Sequence, residues 1–372
     1  MSAEYRRAAV PFALRALAVL LALLMPPATA RAQGFAALGT TAEGFAVPDP
    51  ARRLVFPRDH GPHPDFRIEW WYLTANLTGA DGRDYGVQWT LFRSALRPEP
   101  PGATAQGWTS PQVWMAHAAL TTPDAHHFAE RFSRGGIGTA GATATPFAAW
   151  IDDWQMTGTA APGDDGLQAL ELTARGDYFA YDLALAADGP LVLHGQEGFS
   201  VKSPDGRASH YYSQPHYRVT GTIRTPRGEM AVTGTGWLDR EWSSQPLAGD
   251  QSGWDWMALT LETGERLMAA QLRDGGAGFR FGTWIARDGN VRALSGQDLA
   301  LSPGPARDIG PARLPLSWRI DLPGEGLALE IEALNPGAWM GTTTSYWEGP
   351  VRVGGDRAGR GYLEMTGYDG GE

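Results

Sequence analysis

Apolar and polar positions along the chain alternate with a period of two in short runs, and the runs are broken by Gly, Pro, Asp and Asn. The clearest run is 68–77, IEWWYLTANL. It sets Ile68, Trp70, Tyr72 and Thr74 on one face of a strand and Glu69, Trp71 and Leu73 on the other. The residues before it are dense in Pro, Gly, His and Asp. Pro57, Pro62 and Pro64 fix φ and remove amide donors, so this loop cannot become helix and is held semi-rigid where the strand begins. Further strands are predicted at 85–93, 113–121, 127–134, 150–159, 167–175, 178–186 and 191–203, with 98–107 as a loop. About eight strands are then in place, enough to close one barrel. A second series follows at 211–225, 229–237, 254–261, 267–273, 279–287, 291–294, 314–321, 327–333, 340–347 and 361–366. The expected fold is all-β, with two antiparallel barrels in one chain and the hairpin from Tyr211 to Trp242 linking them.

A length of 372 residues suits two domains with ample core. Arg6, Arg7 and Arg15 precede an apolar run, 16–25, and small-residue cleavage patterns follow at Ala28-Thr29-Ala30 and Ala30-Arg31-Ala32. This reads as a secretory signal peptide over 1–32, cleaved near Ala30 or Ala32, and hence as a periplasmic or secreted protein. Residues 33–53, rich in Ala and Gly with Pro48 and Pro50, read as a linker, followed by domains at 54–243 and 244–369. No later segment reaches the ~20 apolar residues of a transmembrane helix. With no cysteine there are no disulfides and no lipid attachment, so the core alone must hold the fold. A net charge of −10 argues against nucleic acid or anionic lipid as partner. Lys202 is the only lysine, which by itself carries no function.

The second informative stretch is GTGWLDREWSSQP at 234–246, followed by Gly253-Trp254-Asp255-Trp256. Asp239, Arg240, Glu241 and Asp255 are crowded there among Trp237, Trp242, Trp254 and Trp256. Two readings stand: an apolar pocket whose desolvated carboxyl stays protonated and donates to an unsaturated substrate, or an Arg–carboxylate cluster closing a barrel end. Glu69, sharing its strand face with Trp71, is the other candidate acid, either ion-paired or raised in pKa. His60 and His63 offer metal-ligand types, but the proline between them matches no zinc signature, and no metal or cofactor is expected. His117 lies in an alternating apolar strand and is read as hydrogen-bonding within the barrel. Tyr211 and Tyr212 form a polar-aromatic edge suited to a pocket rim. No nucleophile elbow, Walker lysine or dinucleotide glycine motif is present, which argues against serine hydrolysis and nucleotide chemistry.

Several long phrases occur in one order from about residue 54 to 369: HGPHPDFRIEWWYLTANL, VWMAHAAL, HGQEGFSVKS, SHYYSQPHYRVTGTI, GTGWLDREWSSQPL, GWDWMALTLETGERLMAAQLRD, SYWEGPVRV and GYLEMTGY. Together they resemble the AttH-like family, which includes carotenoid 1,2-hydratase (hydroxyneurosporene synthase) relatives. The resemblance implies a pair of lipocalin-like barrels. From the hydratases it implies cofactor-free protonation of a carbon–carbon double bond by a carboxylic acid, followed by capture of water. The acid position falls on Asp239, with Trp237 and Trp242 as aromatics facing the cation. The hydratase motif carries histidine and asparagine where this chain has Leu238-Asp239-Arg240-Glu241, and Arg240 beside Asp239 would hold that carboxylate ionised if the two met. Other members are linked to ABC transport, so a transporter permease enters as a partner. The leading expectation is binding of an apolar or amphipathic, lipid- or isoprenoid-like molecule in an aromatic barrel cavity. Contacts are expected from His60, His63, Trp70, Trp71, Tyr72, Trp89, His117, Tyr211, Tyr212, Trp237, Arg240, Glu241, Trp242, Trp254 and Asp255. Hydration through Asp239 or Glu69 is the alternative.

Overall fold

The computed structural model describes residues 43–98, 107, 110–245, 247–248 and 250–368. The expected signal peptide, the first part of the linker and most of the loop after Pro98 lie outside the described residues. The described chain falls within one compact unit. Helix among the described residues is limited to short 3₁₀ stretches such as Arg58–His60 and Pro323–Glu325. No helix among the described residues is long and apolar enough to cross a membrane.

The first sheet contains β1 (Ile68–Gly79), β2 (Asp84–Ala95), β3 (Gln112–Thr121), β4 (His126–Arg134), β5 (Ala140–Ala144), β6 (Phe147–Ile151), β7 (Trp154–Gly158), β8 (Ala169–Arg175) and β9 (Ala180–Ala187). Two short pieces follow, β10 (Val192–Leu193) and β11 (Phe199–Val201), and then the long hairpin β12 (Ala208–Thr225) and β13 (Gly228–Ser243). The second sheet is built from β14 (Gly253–Leu261), β15 (Arg266–Arg273), β16 (Phe279–Ile285), β17 (Val291–Ser295), β18 (Ala300–Pro303), β21 (Ser317–Leu322), β22 (Leu327–Ala333), β23 (Trp339–Met340), β24 (Tyr346–Gly355) and β25 (Gly359–Thr366). A small ribbon, β19 (Ala306–Asp308) and β20 (Arg313–Pro315), stands apart from it.

Both large sheets are antiparallel; the first is a nearly closed barrel and the second a half-barrel. The order in the first is β4-β3-β2-β1-β13-β12-β9-β8-β7-β6-β5. The hairpin β12–β13 therefore does not link two barrels: it fills the gap between β1 and β9, and the earlier strands are insufficient without it. Turn residues specify which two strands pair locally but not which sheet the hairpin joins, a long-range choice made by burying its inner face. The second series likewise stops at a half-barrel, because one of its faces is covered by the first sheet.

Alternation along β1 decides what goes where. Trp71, Leu73, Ala75 and Leu77 point into the barrel with Trp89, Leu91, Trp154 and Leu172, and this interior is filled by its own side chains. The opposite face of the same strands meets the second sheet, where Tyr72, Tyr211 and Trp237 pack with Trp256, Ala258, Met268 and Tyr362. Direct bonds cross this interface: Tyr72 Oη donates to Glu348 Oε1 at 2.5 Å, Trp256 Nε1 donates to Tyr211 Oη at 3.1 Å, and Arg266 Nε donates to the Pro215 carbonyl at 2.8 Å. Gly86 on β2 allows the closest approach, since a Cβ there would sit 2.5 Å from Pro350 Cγ.

Candidate functional site

A cavity of about 350 Å³ opens between the two sheets, outside the barrel where sequence reasoning expected it. The barrel interior is occupied by its own inward side chains, which form one buried cluster. Ile68, Trp70, Tyr72, Thr90, Phe92, Met115 and His117 line the cavity from β1–β3, and Asp239 and Glu241 from β13. Trp254, Trp256, Ala270, Leu272, Phe281, Tyr346 and Glu364 come from the second sheet, with Lys202 and Leu247 from connections. The wall is thus mostly aromatic and aliphatic, with a few carboxyl groups set into it, as ligand cavities commonly are.

The period-two rule separates the crowded charges of the second motif. On β13, Trp237, Asp239 and Glu241 face the second sheet while Leu238, Arg240 and Trp242 face the barrel, so Arg240 turns away from its neighbour Asp239. Asp239 is 3% exposed and meets no cation among the described residues: Tyr211 Oη donates to its Oδ2 at 2.8 Å, Trp237 Nε1 to its Oδ1 at 2.6 Å, and the Ser213 hydroxyl also to Oδ1. Burial raises its pKa and outweighs those three donors, with help from the nearby Glu241 charge, so the carboxyl is pushed up to about 7. Behind it, His194 bonds Ser213 Oγ through Nε2 at 2.6 Å and Thr283 Oγ1 through Nδ1 at 2.8 Å. Burial, helped by the Lys202 charge, depresses the imidazole's pKa well below its ordinary value, so the ring is neutral.

Across the cavity Glu364 accepts from Trp254 Nε1 at 2.5 Å, and burial together with the Asp239 and Glu241 charges raises its carboxyl. Its cross-strand neighbour Glu348 is raised as well, by burial first and then by the Glu364 charge. Tyr346 Oη bonds His117 Nδ1 at 2.8 Å, and His117 Nε2 bonds Glu130 Oε1 at 3.0 Å. His117 thus bonds across the sheets, facing away from the barrel interior expected of it. An apolar chamber carrying neutral-biased acids can hold an uncharged ligand and exchange protons with it.

The other candidate acid is placed differently. Glu69 points to the barrel side, at the end closed by the loop before β1, and is fully buried. Arg93 Nε donates to its Oε1, Arg240 Nη2 to its Oε2 at 3.1 Å, and the His63 backbone N–H to Oε1 at 2.9 Å. Burial alone would raise this carboxyl, but Arg93, His63 and Arg240 outweigh it and hold it well below the usual carboxylate range. Glu69 is therefore an ionised hub and not a proton donor.

The remaining predicted contacts divide along the same line. Trp70, Tyr72, His117, Asp239, Glu241 and Trp254 line the cavity, while Tyr211 and Trp237 support Asp239 from beside it. His60, His63, Trp71, Trp89, Tyr212, Arg240 and Trp242 belong to the barrel and its closed end. There His60 bonds Tyr212 Oη at 2.7 Å and Asp165 at 3.0 Å, and Arg240 lies 3.8 Å over the Trp71 ring. Trp242 stacks on His63 at 3.8 Å, so it cannot face a cation formed near Asp239. Asp255 lies outside the cavity lining, bound by Arg273 Nη1 at 2.6 Å and Tyr368 Oη at 3.0 Å, and burial raises it to about 6 against the pull of Arg273. Among the described residues no cluster of His, Asp and Glu is arranged to hold a metal ion. Sequence reasoning missed Glu364, Glu348, Tyr346, Ser213, His194 and Lys202. Alternation in SYWEGPVRV and GYLEMTGY places Glu348 and Glu364 on strand faces, but nothing local indicates which face meets the first sheet.

Fold and site together define a lipocalin-like protein of two antiparallel sheets that enclose an acid-bearing apolar cavity at their interface. The chain belongs to the AttH-like family, whose model matches residues 47–368. The crystal structure of an AttH-type protein from Nitrosomonas europaea matches with a TM-score of 0.76 and 32% identity, covering 88% of this chain and 100% of that one. Kievitone hydratase from Nectria haematococca matches with a TM-score of 0.62 over 89% of this chain and 98% of its own; at 15% identity the likeness is one of fold. No curated protein matches the chain.

Proposed function

We propose that the protein is a cofactor-free hydratase acting on an apolar, unsaturated molecule held between the sheets, with Asp239 as the acid. One observation carries this reading: Asp239 is a buried carboxyl without a cationic partner, on the wall of an aromatic cavity, with its pKa pushed up to about 7. A general acid works best when its pKa lies near the working pH. Asp239 transfers its proton to one alkene carbon, the π pair becoming the new C–H bond, and the positive charge settles on the more substituted carbon. Trp70, Trp254 and Trp256 line the space where that cation forms, and their π faces favour it. Water then supplies the C–O bond, and the proton it releases returns to the Asp239 carboxylate, so the net change is addition of one water.

Kievitone hydratase bears its activity in its name and shares this architecture, which supports a hydration reading over binding alone. The test is incubation with acyclic isoprenoid alkenes and polyenes in heavy-oxygen water, followed by mass spectrometry of the extracted products. Labelled alcohol is expected from the wild type, and Asp239→Asn should lower its formation by about a hundredfold or more. Ligand retained with no label in any product would leave a carrier and remove the hydratase; unchanged turnover in Asp239→Asn would remove Asp239 as the acid.

A further inference from the structure

Lys202, the single lysine of the chain, sits on the connection between β11 and β12 with 5% of its surface exposed, and it lines the cavity. Lysine is among the residues least often buried, because a compact ammonium loses much hydration and carries a flexible stem. Its Nζ lies 2.9 Å from Glu241 Oε1, 4.3 Å from the Phe281 ring centroid and 4.7 Å from that of Tyr211. Glu241 Oε1 also accepts from the Ser209 hydroxyl. An ammonium has three donors, and the ion pair uses one. The two ring faces balance charge but offer no lone pair in the plane of a normal hydrogen bond. Among the described residues Glu241 is the one polar partner of Nζ, so donor capacity is left at the edge of an otherwise greasy chamber, on the side where Glu241 and Asp239 project from β13.

We infer that Lys202 is the polar anchor of the cavity, donating a hydrogen bond to an uncharged oxygen, hydroxyl or carbonyl, on an otherwise apolar unsaturated ligand. Charge decides the class. Lys202 and Glu241 cancel each other, so an anionic head group would bring one uncompensated charge into a buried space already holding Glu241, Asp239 and Glu364. A pure hydrocarbon would strip water from the ammonium and return nothing to its remaining donors. A neutral oxygen meets both conditions. The inference rests on the proposed function in placing an unsaturated ligand in this cavity, but its test reads binding, not turnover.

The probes are myrcene, geraniol and geranic acid, which share one carbon skeleton and differ in a hydrocarbon, hydroxyl or carboxylate end. Lys202→Met alone would strand Glu241 and endanger folding, so the informative protein is the double variant Lys202→Met with Glu241→Gln, which leaves no buried charge unpaired. Affinities are measured by native mass spectrometry and titration calorimetry, with thermal melting as the check on fold. The wild type should bind geraniol about tenfold tighter than myrcene or geranic acid, one good hydrogen bond's worth, and the double variant should lose that preference and bind myrcene at least as tightly as the wild type does. An equal preference for geraniol in both proteins would overturn the anchor, as would tightest wild-type binding of myrcene or geranic acid, or no binding of any probe. Absence of heavy-oxygen label in products would sink the hydratase reading and leave these affinities standing.

Discussion

Glu69 and Asp239 lie on adjacent, paired strands, and neither has more than 3% of its surface exposed. Their surroundings are opposite. Glu69 meets two guanidinium groups and a histidine at the closed end of the barrel, and it stays ionised. Asp239 meets two hydroxyls and an indole beside an apolar cavity, and it is balanced between its two forms near neutral pH. Burial penalises the charged form of both; what differs is whether a full opposite charge lies within reach. Partnered, a buried carboxylate becomes part of the structure, and breaking it leaves orphaned cations. Left without a cation, it keeps a proton up to near neutral pH.

That contrast can be broken from either side. The largest effect is expected at the barrel end: Glu69→Gln leaves Arg93 and Arg240 buried with no carboxylate, and should cost about 3–5 kcal/mol of stability by denaturant unfolding. Loss of less than about 1 kcal/mol would show that the cluster is not what closes the barrel. At the cavity the sign reverses. Asp239 titrates higher when folded than the ordinary ~3.9 of an unfolded aspartate, so between those pKa values the folded state holds the extra proton. Its contribution to stability is full below about pH 4 and falls by roughly 1.4 kcal/mol per pH unit until about pH 7. Asp239→Asn, which cannot ionise, should therefore become progressively more stable than wild type across that window. Melting curves of the two proteins that stay parallel with pH would refute the raised pKa. The smallest effect sharpens the assignment: Tyr211→Phe removes one donor to the ionised form and should move the midpoint of the hydration rate's pH profile upward by roughly one unit. Because the acid must be protonated to act, the rate should fall as pH rises through that midpoint.

Much of this was legible along the chain. The alternation in IEWWYLTANL assigned Trp70 and Tyr72 to one face and Glu69 and Trp71 to the other, and the two faces proved to be cavity and barrel. The crowding at Trp237 to Trp242 drew attention to the segment that carries Asp239 and Glu241 to the cavity wall, and long phrases in one order along the chain pointed to the AttH-like family. Whether Arg240 would hold Asp239 ionised had its answer in the same period of two, since adjacent residues of a strand face opposite sides. The hairpin β12–β13 was found as a hairpin but assigned to the wrong place, because its partners β1 and β9 are distant in sequence.

The sequence by itself determined most of the strands and the two sides of each, because those follow from local backbone geometry; it did not show that 150–159 breaks at Asp152–Asp153 into β6 and β7, that 191–203 is only the two short pieces β10 and β11, or that β5 and β18–β20 exist. Only the tertiary structure decided that the second sheet covers the outer face of the first, and with that the location of the cavity and the arrival of Glu364 and Trp254 opposite Asp239 on its wall. Sheet-on-sheet packing brings together residues more than a hundred positions apart, and no periodicity within a strand records which surface will lie opposite.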